Sequence, residues 1–326
     1  MTRTPSFSPA SLPALLLAPL LALWLALFLV VPAAADVYTW VDEDGLTHYS
    51  DRKPEPGQDF EALDVPRAKG AMVSSRRGGE THRPEHFFLN RFAGPAQIEL
   101  TLSEADNVLP VPALPARFVL PAHAEESLVR FGPVDPTQAF SYRLAYTLVP
   151  GEPLDTLPED LDYYPPFARG ETWPISQGLD DAHTHNNAAN RYAVDIAMPL
   201  GTPILAARSG VVMELEDGFA DNGRHDDRFM DRANFVRILH DDGTMAVYAH
   251  LQQHSVRVRP GMKVPAGHWI GNCGNSGFSS GPHLHFVVQM NIGMSLESLP
   301  LRFRRPEGGV MDPDRPQPLK GVLAAP

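Results

Sequence analysis

Very little in this chain can cross-link it. Of its 326 residues only Cys273 is a cysteine, so no internal disulfide can form, and no cysteine lies near the amino terminus to carry lipid. Stability must come from packing or from a bound metal. Clustered Lys and Arg are also missing. The formal charge is -12, and nucleic-acid binders neutralise phosphates with basic patches, so no nucleic-acid partner is expected. No stretch sustains a 3.6-residue apolar period and no repeat of roughly 20 to 50 residues recurs, which argues against long amphipathic helices and solenoids.

What is present points to strands and turns. The 33 prolines are about twice average usage, and they cluster between hydrophobic runs instead of inside them. The first 35 residues hold one basic residue, Arg3, an apolar run from Leu12 to Val31, and Ala33-Ala34-Ala35 before Asp36. That order predicts a secretory signal peptide over 1–35 and a periplasmic protein. The run is also long enough to span a bilayer, so an uncleaved membrane anchor is the alternative; with cleavage, no stable membrane insertion is expected. Residues 36–53 contain DVYTWVDEDGLTHYSD, two β-prone stretches around an Asp-Gly turn, which predicts a hairpin. This segment resembles a short tryptophan-containing module at the amino terminus of many secreted Gram-negative proteins.

Residues 54–84 are polar and rich in Pro, Gly, Arg and Ser, and are expected to be a linker. Over 85–165, short hydrophobic stretches such as AQIELTL, ARFVLP and SYRLAYTLV predict a small β-rich domain. From 166 to 305 the strand signals are dense: YAVDIA, PILAA, GVVMELE, NFVRILH, MAVYAH, HWIGNC and HLHFVVQM, punctuated by turn residues. Residues 306–326, rich in Pro and Gly, are expected to be a tail along the surface. The predicted class is therefore mainly β, an antiparallel β-sheet domain preceded by a small β-rich one.

Chemistry concentrates in the second domain. His283 and His285 lie in a strand-like segment, where side chains two apart share a face, with Cα atoms roughly 6 to 7 Å apart. Asp195 sits inside an apolar strand, where an unpaired carboxylate is costly and needs a cation or donors. His250 ends the strand MAVYAH, and His185 lies ten residues before Asp195. Any one of these alone is unremarkable on a protein surface; their joint occurrence in β context predicts a site. Cys273 reads as a small buried hydrophobe. The aspartates at 217, 221, 226, 227 and 231 lack EF-hand spacing and read as a solvated loop beside a groove.

These residues resemble the lysostaphin-type, or LytM-like, zinc endopeptidases of bacterial cell walls. The resemblance runs from Gln177 to about Phe303 and rests on three separated signatures in order: AVDIAMPLGTPILAARSGVV at 193–212, NFVRILHDDGTMAVYAHL at 234–251 and GNSGFSSGPHLHF at 274–286. It implies one Zn2+ per chain held by Asp195 and His285, with His250 and His283 as catalytic histidines. The commoner family pattern puts its third ligand where this chain has Arg191, whose guanidinium has no lone pair to donate. A family variant with a longer spacing fits Gln177, Gly178, Thr184, His185 and Tyr192, so His185 is the implied ligand, with His183 in reserve. A zinc with two imidazoles, a carboxylate and one open position is catalytic, not structural. The resemblance thus implies hydrolysis of peptide cross-links in peptidoglycan; the Ser/Gly stretch from Gly277 to Pro282, just before the two histidines, is the candidate for backbone contacts to the substrate. The alternative class within this family is a non-catalytic activator of wall amidases, in which ligands have been lost; here every ligand position can be filled.

Overall fold

The computed structural model describes the backbone of residues 37–41, 47–50 and 61–63, and all atoms of residues 71–179, 185–220, 229 and 232–325. The chain divides into two units, 1–68 and 69–326. In the first, β1 (Val37–Val41) pairs antiparallel with β2 (Thr47–Ser50) on one side and β3 (Glu61–Leu63) on the other. The leader expected over 1–35 and the Asp-Gly turn lie outside the described residues.

The second unit contains no α-helix among the described residues, and its sheets are antiparallel apart from a short parallel pair described below. Its first layer is built from β4 (Val73–Glu80), β5 (Arg83–Asn90), β6 (Ala96–Asp106), β7 (Val108–Val111), β8 (Ala116–Leu120), β9 (Glu125–Pro133) and β10 (Ser141–Pro150). They form a four-stranded sheet, β4-β5-β9-β7, and a three-stranded sheet, β10-β6-β8. Phe88, Ile98, Leu100, Leu120 and Phe131 fill the core between them. The linker expected over 54–84 is thereby corrected, since β4 and the start of β5 lie inside it. β4 is an edge strand: Val73 is buried, while Arg76 ion-pairs Glu125 at 2.7 Å and covers the Phe87 ring at 4.1 Å. Its polar composition reflects one solvated face and not an absence of pairing.

The larger layer follows: β11 (Asp162–Tyr163), β12 (Thr172–Gln177), β13 (Val194–Ala197), β14 (Pro203–Leu205), β15 (Gly210–Glu216), β16 (Phe235–Leu239), β17 (Met245–Ala249), β18 (Lys263–Val264), β19 (Trp269–Asn272), β20 (His283–Asn291), β21 (Leu296–Ser298), β22 (Arg302–Arg304), β23 (Val310–Met311) and β24 (Pro318–Lys320). Its main sheet runs β18-β15-β16-β17-β20-β13-β12-β24, with β21 also on β20. The parallel pair is β11 with β22. The expected tail over 306–326 supplies β23 and β24 because Met311 and Leu319 are buried in the core and draw it into the fold.

Period-two alternation sorts the strands' side chains. Val194, Ile196, Ala246, Tyr248, Leu284, Phe286 and Val288 face the core. Asp195, His283 and His285 therefore face the other way. Register joins the strands at one end: Asp195 pairs with His285, Ala197 with His283, and Ala249 with His285. At the opposite end of the same strands the first layer docks. Met213 and Met245 belong to its core, the Asn291 amide donates to Gln97 Oε1 and the Gly151 carbonyl at 3.0 Å each, and Ala93 N–H donates to the Met213 carbonyl.

Candidate metal centre

Asp195 is the hub. Its Oδ1 lies 2.9 Å from His285 Nδ1 and 3.3 Å from His185 Nε2, and its Oδ2 lies 3.7 Å from His283 Nε2. One donor atom each from His185, Asp195 and His285 fall within 4.8 Å of one another. Burial alone would raise the Asp195 carboxyl, but hydrogen bonds from His185 and His285 and the nearby imidazoles outweigh it and hold it well below the usual 3.8. It is a carboxylate throughout the physiological range, held among imidazoles with no Lys or Arg ion-paired to it among the described residues. His185 is 4% exposed and its Nδ1 has no hydrogen-bond partner among the described residues.

Two further imidazoles stand beside this trio. His250 follows β17 with φ = 62°, a left-handed backbone that re-aims its side chain off the strand. Its Nδ1 donates to the Ser276 carbonyl at 2.7 Å, and His283 Nδ1 donates to the Gly281 carbonyl at 2.8 Å. Since a carbonyl only accepts, both Nδ1 atoms carry the hydrogen in the neutral rings and both Nε2 atoms keep a lone pair. The rings are 4.6 Å apart, centroid to centroid. Burial, with help from neighbouring His283 and His285, lowers His250 to about 3, so that ring is neutral.

The carbonyl that holds His250 is itself held. Ser276 Oγ accepts Asn234 N–H at 3.0 Å and donates to the Leu251 carbonyl at 2.8 Å. Asn234 in turn bridges Phe219 and Leu251. Gly277 follows with φ = 80°, and a Cβ there would meet the Ala233 backbone at 2.8 Å, so glycine is required twice over.

All five residues singled out in the sequence, His185, Asp195, His250, His283 and His285, come together, although they arise from separate segments. His183 and Thr184 lie outside the described residues, as do Asp221, Asp226, Asp227 and Asp231. Asp217 is a structural group: its Oδ1 accepts the backbone N–H of Ser255 and Val256 at 3.1 and 3.3 Å. Arg191 lies over the Tyr192 ring at 5.3 Å. Cys273 is buried with its thiol pushed up to about 12 by burial, and it stands outside the cluster. One neighbour escaped the sequence: Asn190, whose Oδ1 lies 3.3 Å from His285 Nε2, where it would accept that nitrogen's hydrogen when Nδ1 is given to a metal, while its amide donates to Asn187 Oδ1. No spacing rule marks an asparagine in a turn as a partner of a histidine 95 residues away.

Residues 189–295 match the model of peptidase family M23, and residues 24–74 match a domain of unknown function, DUF4124. Among curated relatives, the peptidoglycan DD-endopeptidase ShyA of Vibrio cholerae is 33% identical over 138 residues, which is 41% of this chain and 28% of that protein. Lysostaphin of Staphylococcus simulans is 35% identical over 106 residues, 32% of this chain and 19% of that one. The chain thus spans under a third of the length of either. Among solved structures, a catalytic-domain mutant of the prophage-encoded M23 protein EnpA from Enterococcus faecalis aligns at a TM-score of 0.31 and 24% identity, covering 47% of this chain and 96% of that one. No helix among the described residues is long and apolar enough to cross a membrane.

Proposed function

Because residues 189–295 form a domain of peptidase family M23, homologous to the lysostaphin-type peptidoglycan endopeptidases, we propose that this chain is a secreted, zinc-dependent endopeptidase that cuts peptide cross-links of peptidoglycan. The observation that carries this is the convergence of His185, Asp195 and His285 on one point, with donor separations of 2.9 and 3.3 Å. Zinc bonds of about 2.0 to 2.2 Å in a tetrahedron set ligand atoms roughly 3.3 to 3.6 Å apart, and the two separations from Asp195 lie near that spacing while all three donors fall within 4.8 Å of one another. Two imidazole nitrogens crowd one oxygen of the half-buried Asp195 carboxylate here, an arrangement that a cation among them would complete. Three protein ligands leave the fourth position for water or substrate.

When bound, zinc supplies Lewis-acid polarisation of the scissile carbonyl and brings its water's pKa toward 7. The chain's own residues supply the proton handling. His250 and His283, each tied down through Nδ1, present Nε2 as a fixed base able to take the proton of the attacking water. The ring so protonated can stabilise the developing oxyanion and then pass its proton to the leaving amine as the C–N bond breaks. One water is consumed and a carboxylate and an amine are released. No covalent enzyme intermediate is needed. In a Gram-negative wall the expected bond joins D-alanine to meso-diaminopimelate, which rests on the predicted export and on the relatives' printed activity.

The test is to load the purified protein with zinc, measure the metal bound, and follow muropeptides released from isolated peptidoglycan by mass spectrometry. His185→Ala is expected to lose both stoichiometric zinc and release, and His183→Ala neither. Zinc retained at full stoichiometry by His185→Ala would overturn the ligand assignment, and no release by zinc-loaded protein would overturn the peptidase.

A further inference from the structure

The first layer of the second unit carries a broad open groove of ≈1790 Å³, lined by β4, β5, β7, β9 and the chain leading into β10. None of its residues takes part in the metal centre. Its character is mixed in a particular way. Leu109 and Val111, 55% and 59% exposed, stand on the β7 edge, and beside them is an aromatic run in which Phe131 stacks on Tyr142 at 4.0 Å and Phe140 lies parallel to Tyr142 at 6.2 Å. The Tyr142 hydroxyl is fixed by His86 Nε2 at 2.8 Å, so the ring is held in place.

Charge narrows the choice of occupant. Four arginines line the groove against two glutamates, in a chain whose net charge is -12. Arg130 pairs with Glu85 and Arg143 with Glu104, as Arg76 and Arg117 nearby pair with Glu125 and Glu99. Arg77 and Arg83 have no acidic partner among the described residues. Arg77 and Arg83, offset only by the equally unpaired Glu80 across from Arg83, stand beside the exposed Leu109 and Val111 and the half-buried rings of Phe140 and Tyr142, and this suits a ligand that offers carboxylates at intervals together with weakly polar ring faces. A peptidoglycan strand has that chemistry: its stem peptides carry free carboxylates, and its pyranose rings present C–H faces to an aromatic stack.

We propose that this groove is a second, non-catalytic binding site for the anionic peptidoglycan strand. It rests on peptidoglycan being the substrate. The shared core at Met213 and Met245 and the Asn291 bonds to Gln97 and Gly151 fix the groove's distance from the metal centre. A strand held in the groove therefore keeps the protein on the wall between successive cuts. The groove lies off the end of the sheet opposite the five site residues, so it does not block them.

The experiment compares the protein with Arg77→Glu/Arg83→Glu and, separately, Leu109→Asp/Val111→Asp, all at exposed positions. Two readouts are taken: co-sedimentation with insoluble peptidoglycan, and hydrolysis of a small soluble cross-linked muropeptide dimer that can reach the metal centre alone. Each variant is expected to sediment with an affinity about tenfold lower, through loss of charge-assisted contacts in the arginine variant and through loss of apolar contact together with repulsion of an anionic strand in the aspartate variant, while turnover of the soluble dimer is unchanged. Unchanged sedimentation in both variants would overturn the groove assignment, and the surface would then be one for a protein partner. Groove-dependent sedimentation without any dimer hydrolysis would leave the groove standing and remove the peptidase.

Discussion

His240 gives a pH dependence that can be worked through from its surroundings. The residue is 4% exposed; its Nδ1 meets the Ser209 carbonyl at 2.8 Å, and its buried Nε2 has no partner. Burial above all, aided by the Arg208 cation, lowers it from 6.5 to about 4, against the opposing pull of the Ser209 bond and Asp242. Between those values the unfolded chain binds a proton that the folded chain refuses. Stability therefore rises with pH through this window and is lost as pH falls from 6.5 toward 4. A gap of about 2.5 pH units at 1.36 kcal/mol per unit gives about 3 kcal/mol, an order of magnitude that needs little discount for solvent at so buried a site. His240→Asn keeps a donor for Ser209 and removes the titration. Urea denaturation of both proteins at pH 7.5, 6, 5 and 4 should show the native protein losing about 3 kcal/mol more than the variant across the range. His250 and His86, also lowered by burial, contribute equally to both and cancel. Parallel stability curves for the two proteins would refute the reasoning.

Two other substitutions test separate links. Asn190→Ala frees His285 Nε2, so the ring is no longer held in the tautomer that points Nδ1 at the site; zinc affinity, measured by competition with a chelator, should fall about 10- to 100-fold with the fold intact. An unchanged affinity would make Asn190 a spectator. Tyr248→Phe removes the buried hydroxyl that accepts Ala207 N–H at 2.7 Å. An orphaned buried donor costs about 1 to 3 kcal/mol, read as a lower denaturation midpoint, whereas zinc content should not change.

Strand positions and the residues that gather around Asp195 were legible because each depends on short-range order. Alternation of apolar and polar residues declares a strand and its faces, and His283 and His285, two apart, must share one. A carboxylate amid the apolar residues around Asp195 declares that something must compensate it. Polarity misled where an element has a solvated side, as in β4, whose pairing with β5 is a matter of backbone geometry and leaves no apolar mark. The segment after Arg305 misled in the opposite sense, since two isolated side chains, Met311 and Leu319, suffice to draw it into the fold.

What the sequence by itself determined is the inventory: an all-β chain carrying three metal-binding candidates and two further histidines on predicted strands. Tertiary structure alone decided their mutual arrangement. Register between β13 and β20 set Asp195 against His285, a left-handed residue at 250 turned its imidazole toward His283, and the carbonyls of Ser276 and Gly281 chose which nitrogen of each ring stays free. The reason is physical: side-chain type is local, but register, tautomer and the company kept by Asn190, Arg77 and Arg83 depend on strands that meet only after folding.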